Sequence, residues 1–254
     1  MGARLKSLGI AFVAAVVLGW GLDGPFWLLS TPSGATSEQR GAIARLHSWR
    51  GFTRATAATD LRKLGPTAAI AIPALVDHLD DVGWAEGFAE GFSKSFAFHG
   101  GPVVVFHPVY DALLAMGPAA VPELIGAIER GREGVRPIAA ELLGELGDPR
   151  AIPVLRAALD PTKDRLWSAA MRSLGQFRDA PTLQLAIKRL HNPEWGQRSL
   201  ATYDVEQFHM PEAEQALNAA LSDPDQNVRA RAGEALERLA RWKQYPPGVR
   251  KYQK

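Results

Sequence analysis

Apolar residues return in step along this chain. Ala139, Ala170, Ala201 and Ala232 stand 31 residues apart, and so do Leu143, Leu174, Val205 and Leu236. Leu146, Phe177, Phe208 and Leu239 form a third column in the same register, and Ile128, Leu159, Leu190 and Leu221 a fourth. A fixed period of this size marks stacked supersecondary units, each burying its apolar face against the next. Within a unit, Val228, Ala232, Leu236 and Leu239 follow each other by four, four and three. That spacing draws one apolar stripe along a helix, with a small residue where packing is closest.

A second helix precedes this one in each unit. It is marked by Pro149-Arg150-Ala151-Ile152-Pro153-Val154-Leu155, where Asp148 suits the cap and Pro149 the first helical position. Asp160-Pro161, Asn192-Pro193 and Asp223-Pro224 are predicted to stop one helix and cap the next. The register extends toward the amino terminus, where Arg54, Ala57, Leu61 and Leu64 match Arg136, Ala139, Leu143 and Leu146. Leu64-Gly65-Pro66 likewise returns as Met116-Gly117-Pro118. The offset of 82 is two repeats plus 20, so an insertion lies between, and the composition shift after Asp81 puts it at about 82–106. The pattern predicts an all-α fold: an α-solenoid of about six helix pairs over residues 36–242, interrupted within the second pair, with a basic tail at 243–254.

The run Leu143-Gly144-Glu145-Leu146-Gly147-Asp148-Pro149-Arg150-Ala151-Ile152-Pro153-Val154-Leu155, with Asp223-Pro224-Asp225-Gln226-Asn227-Val228-Arg229 before a helix, resembles the short HEAT-like repeats of the phycobilisome-lyase type. The resemblance runs from Leu113 to Ala240 and, more loosely, from Thr36 to Asp81. It implies a stack of helix pairs with an extended concave face, and says little about activity.

The first 35 residues break the pattern. Arg4 and Lys6 lead into an uncharged run from Leu8 to Leu22, then Asp23-Gly24-Pro25 and a second apolar patch from Phe26 to Leu29. A positive start and a short apolar core fit a signal peptide better than a spanning helix, with small residues at Ser33-Gly34-Ala35 for cleavage. If uncut, the segment is a signal anchor with Arg4 and Lys6 inside. Either way the body is expected outside the cytoplasm, periplasmic or tethered to the inner membrane.

Composition then narrows the chemistry. There is no cysteine, which removes disulfides, thiolate metal sites and a cysteine nucleophile. The pI near 9.0 suggests nucleic acid until the charge is located. Residues 36–240 hold 22 basic against 26 acidic side chains, so the basic excess belongs to the termini and nucleic acid is not an expected partner. No His-Glu dipeptide, phosphate-binding glycine loop or Gly-Xaa-Ser-Xaa-Gly elbow occurs. The six histidines show no pair at the helical spacing of metal ligands, and neither a catalytic residue nor a cofactor is expected.

Two sets of residues remain as candidates. Arg54, Arg136, Arg198 and Arg229 share one column, with Trp167 in the third unit. They could line the concave face and receive acidic groups, or form a structural ladder; the resemblance implies pairing with an Asp of a neighbouring turn, and Asp223 stands six before Arg229. In the insertion, Trp84, Phe88, Phe92 and Phe96 recur every fourth residue, followed by Phe98, beside a line of Gly83, Gly87 and Gly91. Glycine costs a helix roughly 1 kcal/mol each in water, so this segment is expected to order against a partner, a membrane surface or its own solenoid. The leading expectation is a scaffold or adaptor that binds a protein or peptide through its concave face and these aromatics. The alternative is a lyase-like or metal-dependent enzyme, or a small-ligand binder, with a pocket between insertion and solenoid and His78, His99 and His107 as its polar groups.

Overall fold

The computed structural model describes residues 32–48, 50–80, 108–160 and 162–244. The leader up to residue 31, the insertion with its five aromatics, His99, His107 and the tail beyond Gln244 lie outside the described residues. Those that are described form six helix pairs and no strand. In chain order they are α1 (Ser37–Leu46) with α2 (Gly51–Leu64), α3 (Ile72–Asp77) with α4 (Pro108–Met116), and α5 (Val121–Arg130) with α6 (Val135–Leu146). Then follow α7 (Ile152–Ala157) with α8 (Asp164–Gln176), α9 (Ala180–Arg189) with α10 (Trp195–Glu206), and α11 (Pro211–Ala220) with α12 (Gln226–Gln244). Short 3-10 turns at Gly65–Ala71, Gly117–Ala120 and Pro149–Ala151 lead into α3, α5 and α7. The chain divides into two compact units, residues 1–123 and 124–254.

In the first unit, α1 opens on a capping box. The Thr36 hydroxyl accepts from the Gln39 amide at 3.2 Å, while the Gln39 side chain accepts from the Thr36 amide at 2.8 Å, which satisfies two donors a helix start leaves unpaired. Gln39 also donates to the Thr67 carbonyl at 2.9 Å, tying the start of α1 to the turn before α3. Ala42, Ile43 and Leu46 of α1, Ala57 and Leu61 of α2, Leu75 and Leu79 around α3, and Leu113 and Met116 of α4 are buried together.

The repeat columns become the core of the second unit. Ala139, Ala170, Ala201 and Ala232 are fully buried, as are Leu143, Leu174 and Val205, whereas Leu236 in the last repeat is half-buried. Gly144 shows why the small positions matter: a Cβ there would come within 2.9 Å of the Ser173 Cα, so α6 and α8 meet nearly backbone to backbone.

Helix ends repeat as faithfully as helix faces. Gly65, Gly117 and Gly147 close α2, α4 and α6 in the left-handed region, with φ of 56°, 62° and 66°. Arg178 and His209 hold the same place after α8 and α10, at φ of 52° and 48°. After α8 the Arg178 amide donates to the Gly175 carbonyl at 3.0 Å and the Asp179 amide to Leu174 at 3.1 Å, a Schellman closure. Asp179 then caps α9, accepting from the Thr182 amide at 3.2 Å, so three residues, Phe177 to Asp179, turn the chain from one helix into the next.

The Asp-Pro and Asn-Pro pairs act differently from expectation. Asn192 accepts from the Glu194 amide at 2.9 Å and Asp223 from the Asp225 amide at 2.8 Å, closing Asx turns upstream of α10 and α12. The cap of α10 falls to Glu194, whose side chain makes no capping bond. The pairs therefore shape the turn and leave the helix start to other groups.

Candidate partner-binding face

The four column arginines are spent on the turns beneath them. Arg54 donates to the Ser48 carbonyl and Arg136 to that of Ile128, both at 2.6 Å. Arg198 reaches the carbonyls of Asn192 at 2.9 Å and Pro193 at 3.0 Å, and Arg229 those of Asp223 at 2.7 Å and Pro224 at 2.9 Å. The Asp223 carboxylate goes to Arg198, one repeat back, through two bonds of 2.8 and 2.9 Å. Asp223 thus shares its carbonyl with one arginine and its carboxylate with another. The charge and hydrogen bonds of Arg198 hold that carboxyl below the usual range.

Trp167, the exception in the column, supports a buried polar group. Its indole Nε1 donates to the Asp204 carboxylate at 3.2 Å, the Arg189 guanidinium pairs with the same oxygen, and Arg189 lies 4.5 Å over the Trp167 ring. Arg189 also donates to Gln197 at 3.1 Å. Burial pushes the Asp204 carboxyl up to about 6, against the opposing pull of Arg189 and Trp167.

An exposed face of the second unit follows the same register. Glu141, Arg172 and Tyr203 occupy one position on α6, α8 and α10, and Arg172 joins its neighbours, donating to Glu141 at 2.8 Å and to the Tyr203 hydroxyl at 3.4 Å. Ile138, Ala169, Leu200 and Arg231 form the adjacent column. Between α6 and α8 lies a groove of about 370 Å3 lined by Pro137, Ile138, Glu141, Arg165, Ala169 and Arg172, among others. On α10, Leu200 is 55% exposed, Trp195 50% and Tyr203 39%. Arg165, which lines the groove, and Arg231, one repeat on from Leu200, are exposed and make no ion pair among the described residues.

Sequence reasoning did not single out this face. Its signal was available, because Ile138, Ala169 and Leu200 are as periodic as the core columns, although Ala169 is buried, Ile138 half-buried and only Leu200 exposed. A second juxtaposition was also missed: His47 and His78 stand one repeat apart, and their ring nitrogens lie 3.5 Å from each other. The search for histidines three or four residues apart overlooked the repeat period. Among the described residues no group of three or more His, Asp or Glu converges to hold a metal.

Residues 109–175 match the family model for HEAT repeats. The chain is all-α in its described residues, built of helix pairs, with HEAT repeats at residues 109–175. It is similar to the complex of CpcE and CpcF of phycocyanin lyase from Nostoc sp. PCC7120, at 23% identity and a TM-score of 0.44, over 65% of this chain and 97% of that one. It is also similar to an engineered protein, at 18% identity and a TM-score of 0.40, over 82% of this chain and 98% of that one. None of the curated proteins compared matches the sequence.

Proposed function

We propose that this chain is a scaffold that binds a protein or peptide partner through the α6–α8–α10 face of its second unit. Leu200 carries the reading. It is the most exposed large apolar side chain among the described residues of that unit, in register with Ile138 and Ala169 beside the groove. Apolar groups left in water beside a groove contribute to binding when a partner covers them. Arg165 and Arg231 favour a segment that pairs an apolar side chain with carboxylates.

The aromatics of the insertion, Trp84, Phe88, Phe92, Phe96 and Phe98, form a second element of the same proposal, on the strength of their spacing alone. The leader is proposed to export or tether the body, on the strength of Arg4, Lys6 and the apolar run after them. Affinity recovery from the native envelope, compared across variants, tests each part. Leu200→Glu and Arg165→Glu are expected to lose partners that the unaltered chain and Glu212→Gln, changed on α11, both retain. Deletion of Gly83 to Pro102 is expected to lose them too while keeping helical content. Unchanged recovery by Leu200→Glu and Arg165→Glu sinks the face, and amino-terminal sequencing with fractionation checks the leader.

A further inference from the structure

Beyond partner binding, the structure holds a pair of imidazoles in the geometry of metal ligands. His47 is the C-cap of α1 and His78 the C-cap of α3, and both lie in the first unit. Their backbones are fixed: the His47 amide donates to the carbonyls of Ala44 and Arg45, and the His78 amide to those of Leu75 and Val76. Buried neighbours Leu46, Leu75 and Leu79 pin the helix ends from inside, while the His47 ring is exposed and that of His78 half-buried. The rings meet edge to face with centroids 5.4 Å apart, and His78 Nε2 lies 3.5 Å from His47 Nδ1.

Two imidazole nitrogens on one tetrahedral zinc, each ~2.0–2.1 Å from it, are separated by about 3.3–3.4 Å. The observed spacing is within a fraction of an ångström of that bite. Helix carboxyl ends also favour positive charge, and here two of them converge. Imidazole is a borderline-soft nitrogen donor that suits zinc, nickel and copper over magnesium or calcium.

We propose that His47 and His78 together bind one divalent transition-metal ion of the zinc class. The second imidazole binds within reach of an ion already held by the first, so the pair outperforms either ring alone. Metal competes with protons for the ring nitrogens, and binding weakens toward acid.

Titration of the full chain with zinc chloride, followed by calorimetry and by the ring-nitrogen shifts of the histidines, tests this. One equivalent is expected, with shifts at His47 and His78. His47→Gln and His78→Gln should each lose roughly tenfold or more in affinity, the double variant little further, and His191→Gln nothing. Full affinity in either single variant, or ring shifts confined to other histidines, overturns the site. Because ring shifts are read on the unaltered chain, the test stands even if a variant folds poorly.

Discussion

The Trp167 indole and the Asp204 carboxylate, on α8 and α10, meet across 3.2 Å inside the second unit, where Asp204 is only 4% exposed. A tryptophan occupies the arginine column, and an aspartate takes a buried position that Leu142, Ser173 and Ala235 hold in the other repeats. The pair forms a buried hydrogen bond between repeats, with Arg189 supplying the countercharge.

This placement has a definite sign with pH. The folded Asp204 holds its proton up to about 6, above its ordinary 3.8, so its contribution to stability is fully present below pH 3.8 and is lost as pH rises through 6. His209 works the other way, because burial lowers its pKa and its contribution is lost on acidification below its ordinary range. The difference between the parent and Asp204→Asn therefore isolates the carboxyl. Asparagine keeps an oxygen for Trp167 and carries no charge. Urea unfolding at a series of pH values is expected to show the parent gaining about 2 kcal/mol relative to Asp204→Asn between pH 7.5 and 4.5. Parallel curves for the two proteins would refute it.

Asp223 behaves oppositely. Its folded pKa is lowered by Arg198, so its contribution is present above the ordinary carboxylate range and is lost as pH falls below it. Asp223→Asn keeps an oxygen for the Asx turn but removes the charge from a pair whose side chains are 9% and 13% exposed. A loss of about 1–3 kcal/mol is expected at pH 7, shrinking toward pH 3, in the same unfolding measurement.

Arg178 supplies a backbone test. It is exposed, yet it sits at φ 52° where the preceding repeat uses Gly147. A left-handed conformation costs a residue with a Cβ roughly 1 kcal/mol. Arg178→Gly is expected to raise stability by about 0.5–1 kcal/mol, less whatever glycine adds to unfolded-chain entropy. Gly147→Ala should lower it by a similar amount, and thermal unfolding reads both.

The helix pairs were legible because burial enforces periodicity: Ala139, Ala170, Ala201 and Ala232 have nowhere else to go. The roles of the column arginines were only half legible. Their recurrence announced a structural duty, but a carbonyl leaves no mark in sequence, so Arg229 looked like the partner of the Asp223 side chain when it takes the main chain. Asp204 was invisible for the opposite reason, since a residue that breaks a column gives no periodic signal. The columns through Leu200 and Tyr203 carry the same period as the core and even include the buried Ala169, so nothing in the spacing marks Leu200 and Tyr203 as exposed.

Two helical glycines should respond to alanine in opposite directions. Gly41, exposed in α1, has open space where a Cβ would stand. There, alanine removes only the conformational cost of glycine in a helix, and Gly41→Ala should stabilise by about 0.5–1 kcal/mol. At Gly144 the new methyl would meet Ser173 Oγ at 2.5 Å, Cβ at 2.7 Å and Cα at 2.9 Å. Rotating the serine away sacrifices its 2.8 Å bond to the Ala140 carbonyl and still leaves the Cα in place. Gly144→Ala is therefore expected to destabilise by about 1–3 kcal/mol through overpacking between α6 and α8. Ser173→Gly in that background should recover part of the loss while costing stability by itself, giving a favourable coupling in the double-mutant cycle. Strict additivity of the two changes would mean that α6 and α8 do not approach as closely as the glycine implies.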